Sequence, residues 1–484
     1  MTDARPPLSR SQSMSQPRIL KNIFSLLSSG VVVHAVSFFT VVYIARVLGP
    51  QGFGKINFAF AIVGYFMLFT DMGVSVIATR EVASGRRGLN NYVGNILALR
   101  LCLTLLSFAV LLAIAFYLRK PAEIKYLIIL YGAGVFMSCI FIEWLFQGIE
   151  KMYYIAIGRI AGITIYAAGV FTLIHGPQQL LIIPCLQFLS GLVTASCLIS
   201  FFQMVAGKIE FDIDMQIWRD SLRNALPIGT AVLMNFVVNN ANTVMLGFMS
   251  TEASVGYFNS AAKLLLPLTM LGSVYFDAIY PVISRHYAGA ASDTFGVVLS
   301  FSAKLAITLT LPAAIGGAIL AKPLMHLIYG GGYDDGSTAL GYLLGAGAIG
   351  IFNLVYIRGL WASARQGVYL KIVFTQAIAS IVLNLVLIGS FGIAGCAIAA
   401  LMVEALGLIL YDRAFKNIAS ISAYRFIPKP LIATAIMALF LSITSGFNIV
   451  FKLLGGAFLY VLALYLIKGI TRDELDIIYK GGGR

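Results

Sequence analysis

Charge is what this sequence has least of. Asp, Glu, Lys and Arg make up 11% of the 484 residues, where soluble chains carry about 25%. So few charges cannot clothe the water-facing surface of a chain this long, which excludes a large soluble globular protein. Cysteine is also sparse. The five cysteines (Cys102, Cys139, Cys185, Cys197 and Cys396) stand singly inside apolar segments, with no CxxC and no Cys/His cluster. That leaves no basis for a disulfide framework or a metal site, and no cofactor is expected. Catalytic signatures are missing as well. There is no GxSxG, HExxH or Walker A sequence and no pair of carboxylates at a useful spacing. The stretch "YGGGYDDGS" at 329–337 lacks the trailing Lys of a phosphate loop and reads as a flexible turn.

Apolar residues fill the space: 59% of the chain is hydrophobic. Breaking it at charged and turn-rich segments leaves about fourteen runs, each long enough to cross about 30 Å of hydrocarbon as a helix. They lie near 23–47, 54–77, 94–118, 126–149, 153–175, 180–206, 224–249, 255–281, 296–320, 337–362, 369–390, 393–412, 430–448 and 450–470. Helices are expected because lipid offers the backbone no hydrogen-bond partner, and the runs are too long and too continuous for barrel strands. The fold class is therefore all-α integral membrane. The first run is too long for a signal-peptide core and is expected to remain as the first span.

The net charge of +14 would suggest nucleic acid in a soluble chain. Here the charges sit between the apolar runs, and no nucleic acid is implied. With the N-terminus in the cytosol, inward connections hold roughly three times as many Lys and Arg as outward ones. Arg80, Arg86 and Arg87 behind the second span, and Arg413 and Lys416 behind the twelfth, illustrate the bias. Both termini are expected to be cytosolic, with the basic clusters at anionic lipid headgroups.

Residues 1–21 form a polar tail, 22–206 a first six-helix bundle and 207–223 an amphipathic cytosolic linker. A second six-helix bundle at 224–415, an added helix pair at 428–470 and a tail at 471–484 complete the division. An internal repeat supports it. Gly54, Asn57 and Ala59 match Gly256, Asn259 and Ala261 as G-x-x-N-x-A. "EWLFQGIEKMYY" from Glu143 and "GLWASARQGVYL" from Gly359 share Trp, Gln-Gly and Tyr around an inward loop. Equal span numbers make these parallel repeats about an axis along the membrane normal.

Charges inside spans cost about 2.5–3.5 kcal/mol each on insertion scales and should face a partner or a wet cavity. Arg46, Lys55, Glu143, Arg159 and Lys304 fall near span ends, where snorkelling suffices. Asp71 and Asp277 suit either a structural ion pair, with Arg80 and Arg285 nearby, or ion coupling. Lys263 is fourteen positions before Asp277 and falls within about 40° of it on one continuous helix. Arg100 and Arg358 lie deeper and are cavity candidates. Glu404 is a further charge within a span. Asn235, Asn239 and Asn242 recur at i, i+4 and i+7, one helical face that suits helix–helix contacts or a cavity wall meeting hydroxyls.

The segments "SSG…F…VYIARVLGPQGFGKINFAFAI", "FTDMGVSVIATREVA" and "EWLFQGIEKM" resemble the polysaccharide transporter branch of the multidrug/oligosaccharidyl-lipid/polysaccharide exporters. Those are bacterial flippases for undecaprenyl-diphosphate-linked oligosaccharides. The resemblance implies a MATE-like fold of two pseudo-symmetric six-helix bundles plus two C-terminal helices, a cavity open alternately to cytosol and periplasm, and residence in the cytoplasmic membrane. It implies an O-antigen, capsule or exopolysaccharide repeat unit on undecaprenyl diphosphate as cargo. Membrane lipids, a polysaccharide polymerase and a chain-length regulator would be its partners. Arg100, Lys263 and Arg358 would then meet the diphosphate, Arg46 and Lys55 would sit nearer the mouth, and the Asn235 face would meet sugars. A cation-coupled multidrug exporter of the same fold should instead line its cavity with acidic and aromatic groups. A glycan polymerase or acyltransferase would need a larger outward domain than these loops provide. A pure scaffold would not require charges within its spans.

Overall fold

The computed structural model describes residues 16–85, 89–288, 292–416, 418–419 and 423–469. Arg86 and Arg87, most of the N-terminal tail and the C-terminal tail lie outside them. Helix and turn account for the regular structure, with no strand among the described residues, as a lipid-embedded backbone requires. Eleven helices among the described residues are long and apolar enough to cross a membrane, so the chain is a multi-pass membrane protein.

Two of those eleven cover two sequence-derived spans each. The first, α1 (Gln16–Asp71), bends at Gly49, whose φ of 66° and ψ of 177° interrupt the helix just before Pro50. A left-handed φ favours glycine, and proline withdraws a helical N–H. The other bends at Gly392 with φ 56°. These merged pairs, and a final pair with one helix of only 16 residues, leave fourteen as a count of sequence segments rather than of separate helices.

Contacts divide the chain into two compact units. The first takes residues up to 43 and 66–229. It comprises the first half of α1, then α2 (Val74–Ser84), α3 (Leu89–Tyr117), α4 (Ala122–Ile140), α5 (Glu143–Gly148), α6 (Tyr153–Leu173), α7 (Ile182–Ala206) and the start of α8 (Met215–Met249). Close helix contact here rests on small residues, as in membrane bundles generally. Ser190 Oγ on α7 donates 2.8 Å to the carbonyl of Gly162 on α6, and Thr194 Oγ1 donates 3.2 Å to that of Gly158. On α3, Leu101, Leu105, Leu106, Val110 and Ile114 are exposed, an apolar face suited to lipid.

The stretch expected as an amphipathic linker has two parts. Residues 207–214 are irregular and pinned by Asn95, which donates 2.6 Å to the Asp212 carbonyl and accepts 2.8 Å from the Asp214 N–H. From Met215 the chain is already α8. Asp214 caps it by accepting 2.8 Å from the Gln216 N–H, and Trp218 packs onto the first unit's core.

The second unit takes 44–65 and the chain from 230. It adds α9 (Glu252–Leu264), α10 (Leu266–Ala288), α11 (Ser292–Ile319), α12 (Ala321–Tyr329), α13 (Ser337–Ala362), α14 (Gln366–Phe415), α15 (Pro428–Ile443) and α16 (Ile449–Leu466). The last pair packs on α11, where Tyr460 Oη donates 2.6 Å to the Thr308 carbonyl. Residues 44–65 therefore group with the second unit, whereas the sequence reading had them in the first bundle. The G-x-x-N-x-A repeat shows why. A side chain at Gly54 would strike the Glu252 carbonyl, and one at Gly256 would strike that of Pro50, so the two copies cross at their glycines. Their asparagines behave alike: Asn57 donates 2.8 Å to the Phe53 carbonyl and Asn259 donates 2.9 Å to that of Val255.

The second repeat is also geometric. Glu150 and Ala364 both take left-handed φ, 60° and 55°. The next N–H in each, of Lys151 and Arg365, reaches back 2.9 Å to the carbonyls of Phe146 and Leu360. That is the same helix-ending turn twice. Its register pairs Trp144 with Arg358 and Gln147 with Trp361, so the two tryptophans noted in the sequence are not equivalent positions.

Candidate functional site

Polar residues on α8, α9, α10, α13 and α14 enclose a cavity of about 480 Å³ in the second unit. Asn235, Asn239 and Asn242 from α8 and Lys263 from α9 line it together. Sequence reasoning had not joined Asn259, Asn353, Gln376 and Glu404 to them; all four line the same space. Each amide is held. Asn235 Nδ2 donates 2.7 Å to Tyr369 Oη, and Asn242 Oδ1 accepts 2.6 Å from Asn384. Asn353 Nδ2 donates 2.9 Å to the Glu404 carboxylate and 3.1 Å to its carbonyl. Gln376 Nε2 donates 3.2 Å to the Val403 carbonyl. Lys263 differs. It makes no hydrogen bond or ion pair among the described residues, and its ammonium is the cavity's available cation.

Lys263 and Asp277 do not share one continuous helical face. The helix breaks at Leu265, between α9 and α10, because Pro267 has no N–H to continue the ladder. Asp277 instead pairs with Arg358 at 2.5 Å, with side-chain exposures of 64% and 14%. The Arg358 guanidinium also lies over the Trp361 ring, 4.6 Å from its centroid. Trp361 in turn meets Tyr369 edge-on at 5.7 Å, so Arg358 borders the cavity wall through Tyr369 and Asn235 rather than lining the space.

Arg100 is in the first unit and 4% exposed. Its guanidinium donates 3.0 Å to the Phe141 carbonyl and 2.6 Å to that of Ser138, and lies 3.4 Å from Asp71. It thus holds the break between α4 and α5 and balances Asp71, which also accepts from Ser75. Asp71 meets Arg100, not Arg80. Arg46 donates 2.7 and 2.6 Å to the carbonyls of Ile328 and Leu327, capping the end of α12. Lys55 lies half-buried on α1 beside Gly54. Neither lines the cavity of the second unit.

The span-end residues Glu143 and Arg159, discounted in the sequence, form a bidentate pair of 2.8 and 2.5 Å. The signal for them was the "EWLFQG" segment itself. For Asn353, Gln376 and Glu404 it was the rarity of amides and carboxylates inside spans. Among the described residues no cluster of His, Cys, Asp and Glu could hold a metal ion.

Known proteins bear on this arrangement. A protein of Escherichia coli K12 named as an O-antigen transporter is 24% identical over 377 residues, covering 76% of this chain and 89% of its own. A protein of Haloferax volcanii named as a low-salt glycan biosynthesis flippase is 22% identical over 180 residues, 37% of this chain and 38% of its own. Among solved structures, lipid II flippase MurJ in an inward closed conformation superposes with a TM-score of 0.75 at 13% identity, over 92% of this chain and 99% of that one. An inward-facing multidrug resistance MATE transporter gives 0.61 at 16% identity, over 82% and 98%. At such identities these likenesses establish the fold. Residues 19–286, more than half the chain, match the family described as polysaccharide biosynthesis protein, and the chain belongs to that family.

Proposed function

We propose that this protein is a flippase, not an enzyme, that moves a lipid-linked glycan across the bacterial cytoplasmic membrane. The cargo in this reading is an oligosaccharide repeat unit on undecaprenyl diphosphate, carried from the cytosolic to the periplasmic leaflet by alternating access. A polymerase and a chain-length regulator would act on the delivered units. Membership in a polysaccharide biosynthesis family and the names of its relatives support the class. The observation that carries the reading is Lys263, an ammonium without a partner in an amide-lined cavity.

The chemistry follows from those groups. A diphosphate presents negative oxygens that an ammonium meets as a compact cation. Sugars present hydroxyls that both donate and accept, which matches amides carrying both functions. Arg358 can supply a second cation if phosphate displaces Asp277, a carboxylate mostly exposed and easily returned to water. Arg100 is committed to two carbonyls and Asp71 and serves the framework of the first unit.

The test is complementation of surface glycan in a strain lacking this gene, with membrane levels of each variant measured. Lys263→Ala at normal abundance should abolish the glycan, and Lys263→Arg should retain part of it. Wild-type glycan from Lys263→Ala would remove the reading's central residue. Glu404, facing the same cavity, favours a second reading, a cation-coupled exporter of small molecules. Efflux of an organic cation from a drug-sensitised strain, lost in Glu404→Gln, would support that instead.

A further inference from the structure

The first unit contains a cavity of about 440 Å³ that the proposed function leaves unassigned. Asp71, Arg100, Glu143, Trp144, Gln147 and Arg159 meet on its wall. The four charges cancel in pairs, Arg100 with Asp71 and Arg159 with Glu143. A wall without net charge offers a diphosphate little, so its ligand should be neutral.

Two of the residues that line it carry a donor without a partner. Arg100 Nε and Trp144 Nε1 are buried with no hydrogen-bond partner, on residues 4% and 3% exposed. Buried donors without acceptors are costly and few in native proteins. The carboxylates of Asp71 and Glu143 can only accept, and their oxygens have lone pairs beyond those already used. Gln147 is exposed and offers both functions. A hydroxyl answers orphan donors and spare acceptors at once, and several hydroxyls on one rigid frame make a sugar.

We infer that this cavity is a glycan subsite for a neutral sugar residue of the lipid-linked cargo. Arg100 and Trp144 donate to its oxygens, while Asp71, Glu143 and Gln147 accept from its hydroxyls. The inference rests on the flippase reading, and its test separates the two.

The test uses the purified full chain in lipid nanodiscs. Two probes are titrated: bare undecaprenyl diphosphate, and the lipid-linked oligosaccharide extracted from the protein's own host. The wild type should prefer the glycan-bearing lipid. Trp144→Phe keeps the ring and removes the N–H, and Gln147→Ala trims an exposed side chain that folding does not need. Each should cut the preference about 3- to 10-fold, the worth of one hydrogen bond, with bare-lipid affinity unchanged. If Trp144→Phe does not fold, Gln147→Ala alone decides. An undiminished preference in the folded variants would overturn the subsite and leave the flippase reading standing. Failure of the wild type to bind either probe would overturn both.

Discussion

Arg100, buried, and Lys263, half-buried, are both bases in spans, yet their surroundings assign them opposite duties. Arg100 bonds two carbonyls at the α4–α5 break and faces Asp71. Removing it costs about 1–3 kcal/mol for each buried carbonyl left unmet and leaves Asp71, 29% exposed, without its cation. Arg100→Ala should therefore lower the thermal unfolding midpoint in detergent sharply. Arg100→Lys should recover only part, because an ammonium cannot span both carbonyls and a carboxylate in one plane. Lys263 has no such partners, so Lys263→Ala should leave that midpoint nearly unchanged while glycan export is lost. A large loss of stability in Lys263→Ala would show that its ammonium holds the fold. Asn353 makes a third case. Its buried amide donates to the half-buried Glu404, and Asn353→Leu should destabilise by about 1 kcal/mol, the net worth of one hydrogen bond. Asn353→Gln, keeping the amide, should cost less in the same melt.

At the scale of elements, crossing points decide more than periodicity does. Gly54 and Gly256 each lie against backbone of the other's helix, and a methyl group there has no flexible neighbour to displace. Gly54→Ala or Gly256→Ala should separate α1 from α9 and reduce folded protein in the membrane by more than overpacking typically does, about 1–3 kcal/mol. Gly30→Ala and Gly389→Ala are the controls. Nothing lies within 4 Å of either position, and both should be neutral or better. The crossing was legible as a pair of matched motifs, because a repeat leaves the same letters twice. The three asparagines of α8 were legible too, since a 3.6-residue period fixes which positions share a face. What the sequence concealed was convergence. Asn353, Gln376 and Glu404 come from three separate stretches of α13 and α14, and nothing in their spacing says they meet. Arithmetic along one helix also misled where the helix ended. Lys263 and Asp277 share a face only if α9 continues through Pro267, which it does not. Within the stretch read as a linker the boundary of α8 was likewise hidden, since Asp214 caps a helix that begins at Met215.

Over the whole molecule, few charges make their placement informative. Exposed apolar side chains such as Phe116, Phe391, Phe458 and Leu466 are at home in lipid, and the bases concentrate in connections. Basic connections stay on the cytosolic side because moving them across is unfavourable against the membrane potential and away from anionic headgroups. On that rule we propose that the turn after α2 and the end of α14 lie inside, the α3–α4 turn outside and both termini in the cytosol. The five cysteines can be replaced to give a background for labelling with a membrane-impermeant thiol reagent. Lys120→Cys should label in intact spheroplasts, whereas Ser84→Cys and Lys416→Cys should label only after permeabilisation. The reverse pattern would mean that the positive charges do not set the topology, and a glycan collected on the cytosolic leaflet would then meet the opposite face of every cavity described here.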